Sequence, residues 1–200
     1  SSTPVDVLGI TTATSVDAGA YQTCAVLSAG SPQCWGNDYA QGGSTAADMP
    51  GLTAPTAFSI GLDFSCARLS GGGVSCWGFN GDGLGDGSTS YSQTPVSVQG
   101  VSTAAAVATG DGHACAVLSA GSVKCWGSNY AGQLGTGSHT SSGIPVDVPG
   151  ITTATAITAG SSNSCALLSS GTVKCWGYND GFNGGRLGDG STTGSTTPVS

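Results

Sequence analysis

The sequence predicts an all-β protein made of four tandem blades of the β-propeller type, each with four short antiparallel strands. Three observations predict it: a unit of about fifty residues that recurs four times, four cysteine pairs of identical spacing, and a composition unsuited to helices. Of 200 residues, 35 are glycine, 8% are charged, and serine plus threonine make up about a quarter. All 11 acidic residues are aspartate, and the lysines are Lys124 and Lys174 alone, so good helix formers are scarce. Short Val, Ala, Leu and Trp runs between Gly, Ser, Asp and Thr read as strands joined by turns.

The first run of each unit is a Pro-Val stretch: Pro4 to Val7, Pro95 to Val98 and Pro145 to Val148, with a degenerate counterpart at Thr45 to Met49. The second is a run of small residues ending in glycine: Ala13 to Gly19, Ala104 to Gly110, Ala154 to Gly160. Small side chains suit the crowded axis of a propeller, so this run is expected to be the innermost strand. The third and fourth runs are a hairpin that opens on Cys24, Cys66, Cys115 or Cys165 and closes on Cys34-Trp35-Gly36, Cys76-Trp77-Gly78, Cys125-Trp126-Gly127 or Cys175-Trp176-Gly177. Each opening cysteine follows the last by 42, 49 and 50 residues. On this phasing the units are 1–44, 45–93, 94–143 and 144–195, and 196–200 starts a further unit. Four strands per repeat is the pattern of propeller blades, whose faces are buried only by stacking neighbours. Runs apolar on successive positions rather than alternating are what burial on both faces demands.

The cysteine geometry follows from the turn. Each pair is ten residues apart, and the midpoint leaves a three-residue loop ending in Gly30, Gly72, Gly121 or Gly171. Such loops end in a left-handed residue, which glycine supplies without a Cβ clash. Counting outward from a hydrogen-bonded closing pair puts the cysteines at a non-hydrogen-bonded pair, about 4.5 Å apart at Cα and within disulfide range. Four disulfides, Cys24–Cys34, Cys66–Cys76, Cys115–Cys125 and Cys165–Cys175, are therefore expected, and with them an oxidising, extracellular or cell-surface location. No Cys-x-x-Cys is present, which argues against a structural zinc site.

The units resemble repeats of the regulator of chromosome condensation family in its bacterial, secreted, cysteine-paired form. The resemblance rests on Gly110, His113, Ala116 and Leu118, then Gly121, Val123, Trp126, Gly127 and Asn129, then Gly132-Gln133-Leu134-Gly135 and Gly137. Unit four repeats it through Gly160, Ala166, Leu168, Gly171, Val173, Trp176, Gly177, Asn179, Leu187, Gly188 and Gly190. It implies a propeller, usually of seven blades, and a surface or protein-binding role. Four blades is the lower limit of a closed ring, so the expectation is a segment of a longer array, or chains that complete one another edge to edge.

The net charge is −7 with four basic residues. Nucleic-acid partners are not expected, because clustered Lys and Arg are missing. Membrane insertion is not expected either, since no apolar run approaches the ~18 residues of a span. The chain opens Ser1-Ser2-Thr3-Pro4 with no basic n-region or apolar h-region, so for a secreted protein a mature or trimmed form is expected. No catalytic constellation emerges: His113 occupies a slot filled by Gln22, Phe64 and Asn163 elsewhere, and His139 lies in an exposed Ser/Thr loop. No cofactor is implied. Asp82 and Asp86 sit beside glycines, where Asp ordinarily serves turns, and a weak calcium site is the alternative.

The loops after each Trp-Gly differ between units and carry Tyr39, Phe79, Tyr130, Tyr178 and Phe182. These are the candidate ligand-binding residues, because irregular loops on a rigid scaffold carry function. The reading is a non-enzymatic structural or adhesive module of a cell surface or filament, self-assembling or binding a protein partner. The alternative is a protein- or glycan-binding propeller, such as an inhibitor or lectin, that uses these loops.

Overall fold

A computed structural model describes residues 2–29, 31–36, 43–180 and 185–200. Among them are sixteen strands in four antiparallel four-stranded sheets. The first sheet holds β1 (Ala13–Ala18), β2 (Gln22–Leu27), β3 (Gln33–Gly36) and β4 (Gly43–Asp48). The second holds β5 (Pro55–Ile60), β6 (Phe64–Leu69), β7 (Val74–Gly78) and β8 (Ser92–Ser97). The third holds β9 (Ala104–Thr109), β10 (His113–Leu118), β11 (Val123–Gly127) and β12 (Ser142–Asp147). The fourth holds β13 (Ala154–Ala159), β14 (Asn163–Leu168), β15 (Val173–Gly177) and β16 (Ser195–Val199). Within each sheet, sequence order is spatial order.

The expected blades are present, with a correction to their phase. The Pro-Val stretch does not open a sheet. It closes the preceding one, because the loop after Trp-Gly returns the chain antiparallel to the strand it has just left. Val96 lies opposite Cys76, Val146 opposite Cys125, and Val199 opposite Cys175, while in the first sheet Ala47 lies opposite Cys34. The boundaries at 45, 94, 144 and 196 therefore cut across sheets. Ser195–Val199 is the outer strand of the fourth sheet rather than the start of a fifth. Pro95, Pro145 and Pro198 lie on these outer edge strands, where a missing N–H is tolerated.

The hairpin is as the turn chemistry requires. In the third sheet Leu118 N–H donates to Ser122 O at 2.8 Å and Gly121 N–H to Leu118 O at 2.8 Å. Gly72, Gly121 and Gly171 take φ of 80°, 84° and 85°; Gly30 lies outside the described residues. Cys115 then faces Cys125 across the ladder, and all four pairs are disulfide-bonded, with Cα separations of 4.0–4.1 Å.

Successive sheets stack with β1 against β5, β5 against β9 and β9 against β13, so the small-residue runs form the inner strands. Side chains tie them together: Ile60 N–H donates to Asp17 Oδ2 at 2.7 Å, and the Ser59 and Thr109 hydroxyls are 3.0 Å apart. The arc is not closed into a ring. Each blade has a forward face and a rear face. The forward face of the third blade presents the Cys115–Cys125 disulfide, Val117, Val123, Leu134, Val148 and Ile151; the rear face of the fourth meets it with Ala154, Ala166 and Trp176. The second and third blades repeat this with Cys66–Cys76 and Leu84 against Ala116 and Trp126, and the first and second with Cys24–Cys34 and Met49 against Phe58, Ala67 and Trp77. Hence β10 is buried along almost its whole length.

The direction of stacking grades the disulfides. Three are sealed by the following blade, whereas Cys165 is partly exposed on the uncovered forward face of the fourth. Brief treatment of a dilute sample with mild reductant, followed by alkylation and peptide mass spectrometry, is expected to mark Cys165 and Cys175 well before the other six, because exchange requires access to sulfur. Uniform labelling of all eight would contradict this order.

Candidate functional site

Strand direction puts two sets of loops on one rim: the turns between first and second strands, and the long loops after Trp-Gly. They are stitched together by backbone bonds from Phe79 N to Asp63 O (2.9 Å), Ser128 N to Gly112 O (2.8 Å) and Tyr178 N to Ser162 O (2.8 Å). The close approach requires a glycine after each tryptophan. Gly127 has φ of 102°, and a Cβ there would lie 2.5 Å from Gly112 O.

The long loops of the second, third and fourth blades are each organised by one buried asparagine. Asn129 Nδ2 donates to Ser138 O and Thr140 O, both at 3.0 Å, and its Oδ1 accepts from Leu134 N at 2.9 Å. Asn80 and Asn179 do the same for Ser88, Ser90 and Leu84, and for Ser191, Thr193 and Leu187. The bonds hold Leu84, Leu134 and Leu187 buried at the base of each loop. This role was missed in the sequence, although Trp-Gly-x-Asn recurs at 77–80, 126–129 and 176–179.

On this frame Phe79, Tyr130 and Tyr178 are all exposed. Tyr39 and Phe182 lie outside the described residues. Tyr130 Oη pairs with Ser162 Oγ at 2.5 Å, bridging the third blade to the fourth. The Arg186 guanidinium lies 5.3 Å from the centre of the Tyr178 ring and 3.6 Å from Asp180. Tyr178, Ala131, His139, Ser195 and Thr196 line an open groove of about 450 Å³. Between the second and third blades, Asp63, Phe79 and Ser128 line a smaller cleft of about 70 Å³. Burial, followed by the charge of Asp111, holds the Asp63 carboxyl above its usual range.

Asp86 accepts from Ser88 N at 3.0 Å and from the Ser88 hydroxyl at 2.9 Å, an Asx turn that occupies both oxygens. Asp189 makes the same turn with Ser191. Asp82 has φ of 75°, a conformation Asp tolerates in turns. Among the described residues no three His, Cys, Asp or Glu side chains converge as a metal site.

His113 lies away from this surface, fully buried between the third and fourth blades. Ser164 Oγ–H donates to Gln133 O at 3.0 Å, so His113 Nε2 carries the proton and donates to Ser164 at 2.8 Å. Gln133 O also receives Trp176 Nε1–H at 2.8 Å. The imidazole Nδ1 is buried without a hydrogen-bond partner, against Gly110, where a Cβ would lie 2.7 Å away. Burial drives the His113 pKa down to about 4, opposed by the Asp111 charge. Although histidine and serine are hydrogen-bonded, both are sealed and Ser164 is committed to a carbonyl, so the pair is an interblade strut. At the first interface the corresponding pair is bonded in the opposite sense, with Ser65 Oγ–H donating to Gln22 Oε1 at 3.2 Å.

A stacked array of four-stranded sheets with outward loops is a β-propeller arc. Residues 104–133 and 154–183 match one profile of the regulator of chromosome condensation (RCC1) repeat, and 120–167 match a second. Residues 104–183, which span the third sheet and part of the fourth, thus match repeats of this family. No curated protein sequence matches it significantly. Among solved structures, human WBSCR16 is similar over 92% of this chain and 50% of its own, at 20% identity and a TM-score of 0.77. Prp20p of Saccharomyces cerevisiae is similar over 90% and 49%, at 18% identity and 0.73. The ectodomain of the receptor kinase CR4 of Physcomitrella patens is similar over 81% and 40%, at 22% identity and 0.56. The chain spans about half the length of WBSCR16 and of Prp20p.

Proposed function

We propose that this chain is a non-enzymatic extracellular module, a structural or adhesive scaffold of a cell surface or filament. The observation that carries the reading is one disulfide per blade, in a hairpin whose turn is built to close it; such a pattern belongs to oxidising compartments. Protein partners are in keeping with the fold. The structure of yeast Prp20p was described with its binding to Gsp1p and histones, and a receptor kinase ectodomain shares the architecture. The net charge of −7 favours a partner other than nucleic acid.

A second reading is favoured by the rim. Phe79, Tyr130 and Tyr178 present rings beside an open groove, an arrangement suited to a protein or glycan surface. Two measurements test the readings. Antibody labelling of intact source cells is expected without permeabilisation; label that appears only after permeabilisation sinks the extracellular role. Replacing Phe79, Tyr130 and Tyr178 together by alanine is expected to leave the melting curve nearly unchanged, since all three are exposed. If the rim is the binding surface, adhesion to the partner or to a glycan array weakens about tenfold or more. Undiminished adhesion assigns binding elsewhere.

A further inference from the structure

Three interfaces inside the chain share one chemistry: a forward face bearing a disulfide and a β-branched or leucine floor, covered by a rear face bearing tryptophan. Two faces are left uncovered, one of each kind. On the forward face of the fourth blade Leu167 is 40% exposed and Val173 50%, whereas their counterparts Val117 and Val123 are each 1% exposed under the next blade. On the rear face of the first blade Val16 is 63% exposed, while Phe58 at the same position of the second blade is 7% exposed. Trp35 there is half-buried, whereas Trp77, Trp126 and Trp176 are sealed.

The polar residues obey the same rule. The first residue of the second strand reaches the second residue of the corresponding strand in the next blade: Gln22 to Ser65 and His113 to Ser164 as hydrogen bonds, Phe64 with Ala114 in one apolar cluster. The uncovered faces carry Asn163 in the first position and Thr23 in the second, again two polar groups.

We propose that the forward face of the fourth blade docks on the rear face of the first blade of a second copy of this chain, head to tail. Leu167 and Val173 would receive Trp35 and Val16, and Asn163 would meet Thr23. The contact is heterologous. Because the arc spans about half of the propeller chains it matches, two copies suffice to come round and close. This names the partner within the scaffold reading and rests on it.

The test is sedimentation over a concentration series of the 200-residue chain and two charge variants, Val173→Glu and Val16→Glu. Both positions are solvent-facing in the single chain, so circular dichroism and melting at a concentration where the parent is monomeric should stay as in the parent. The parent is expected to form dimers, and each variant alone to weaken association about tenfold or more. An equimolar mixture of the two variants is expected to associate more tightly than either alone, since it holds one intact head-to-tail contact, but less tightly than the parent, because its second contact carries both introduced carboxylates. Alkylation of Cys165 and Cys175 after mild reduction should slow in the parent as the dimer forms. A parent that stays monomeric, or association that either variant leaves untouched, overturns the proposal. A monomer that still labels intact cells would sink the docking and leave the extracellular reading in place.

Discussion

Replacing Trp126 by alanine is expected to lower the unfolding free energy by about 3–5 kcal/mol, while the same change at Trp35 costs about 1 kcal/mol for its smaller burial. Each closes the equivalent hairpin of its own blade and follows that hairpin's second cysteine, Cys125 or Cys34, so the local setting is matched. What differs is the neighbour. Trp126 is fully buried against Leu84, Val98 and Val101 of the second blade, and its Nε1–H donates to Gly83 O at 2.9 Å. Truncation opens a cavity between two blades and leaves that carbonyl without its donor, and both losses act at once. Trp35 has no blade behind it in the single chain and is half-buried. Since stability in such arrays is a sum of blade and interface contributions, damage at the Trp126 interface should also broaden or split the transition. Guanidinium unfolding followed by far-ultraviolet circular dichroism, at a concentration where the chain is monomeric, measures both. Equal losses at the two tryptophans would show that the indole stabilises its own hairpin rather than the stack.

What could be read in the sequence was governed by local geometry. Ten residues between cysteines and a glycine at the loop's end determine which pair of the ladder the sulfurs occupy, and the four disulfides and the left-handed glycines follow. The inner strand was legible as well, because alanine and threonine dominate Ala104–Thr109 and Ala154–Ala159. The phase of the sheets was not. Pro95 to Val98 has the same local character whether it opens one blade or closes another; the choice is made by pairing with β7 across a thirteen-residue loop, which no turn signature records. The candidate rim was half legible. Its aromatic residues announced themselves by variation, whereas Asn80, Asn129 and Asn179, which hold the rim in shape, were hidden by their regularity.

Lowering the pH from 7 to 4 is expected to remove about 3 kcal/mol of stability through His113 alone, from a shift of about 2.5 pH units at about 1.4 kcal/mol each. In the unfolded chain an imidazole takes its proton near pH 6.5; in the folded chain burial delays protonation to about 4. Between those values the unfolded state binds more protons, so stability rises with pH across the window. The contribution is complete above about 6.5 and is lost as pH falls towards 4. Nδ1 is the site that would have to be protonated, and it faces Gly110 with no acceptor to receive the new N–H. Asp63 slopes the other way, since burial and Asp111 raise its folded pKa and its proton is held more tightly in the folded state. A comparison of variants therefore isolates the histidine better than an absolute profile does. His113→Gln places at this interface the residue type that Gln22 supplies at the first; its amide N–H can donate to Ser164, whose own proton is committed to Gln133 O, so Ser164 keeps a neutral partner while the titration is removed. Urea unfolding of parent and variant at half-unit steps should give curves that lie close together at pH 7.5 and diverge below pH 6.5, with the variant the more stable near pH 4. Parallel profiles would mean that the imidazole is hydrated and titrates normally, and that the strut between the third and fourth blades is looser than its bonds imply.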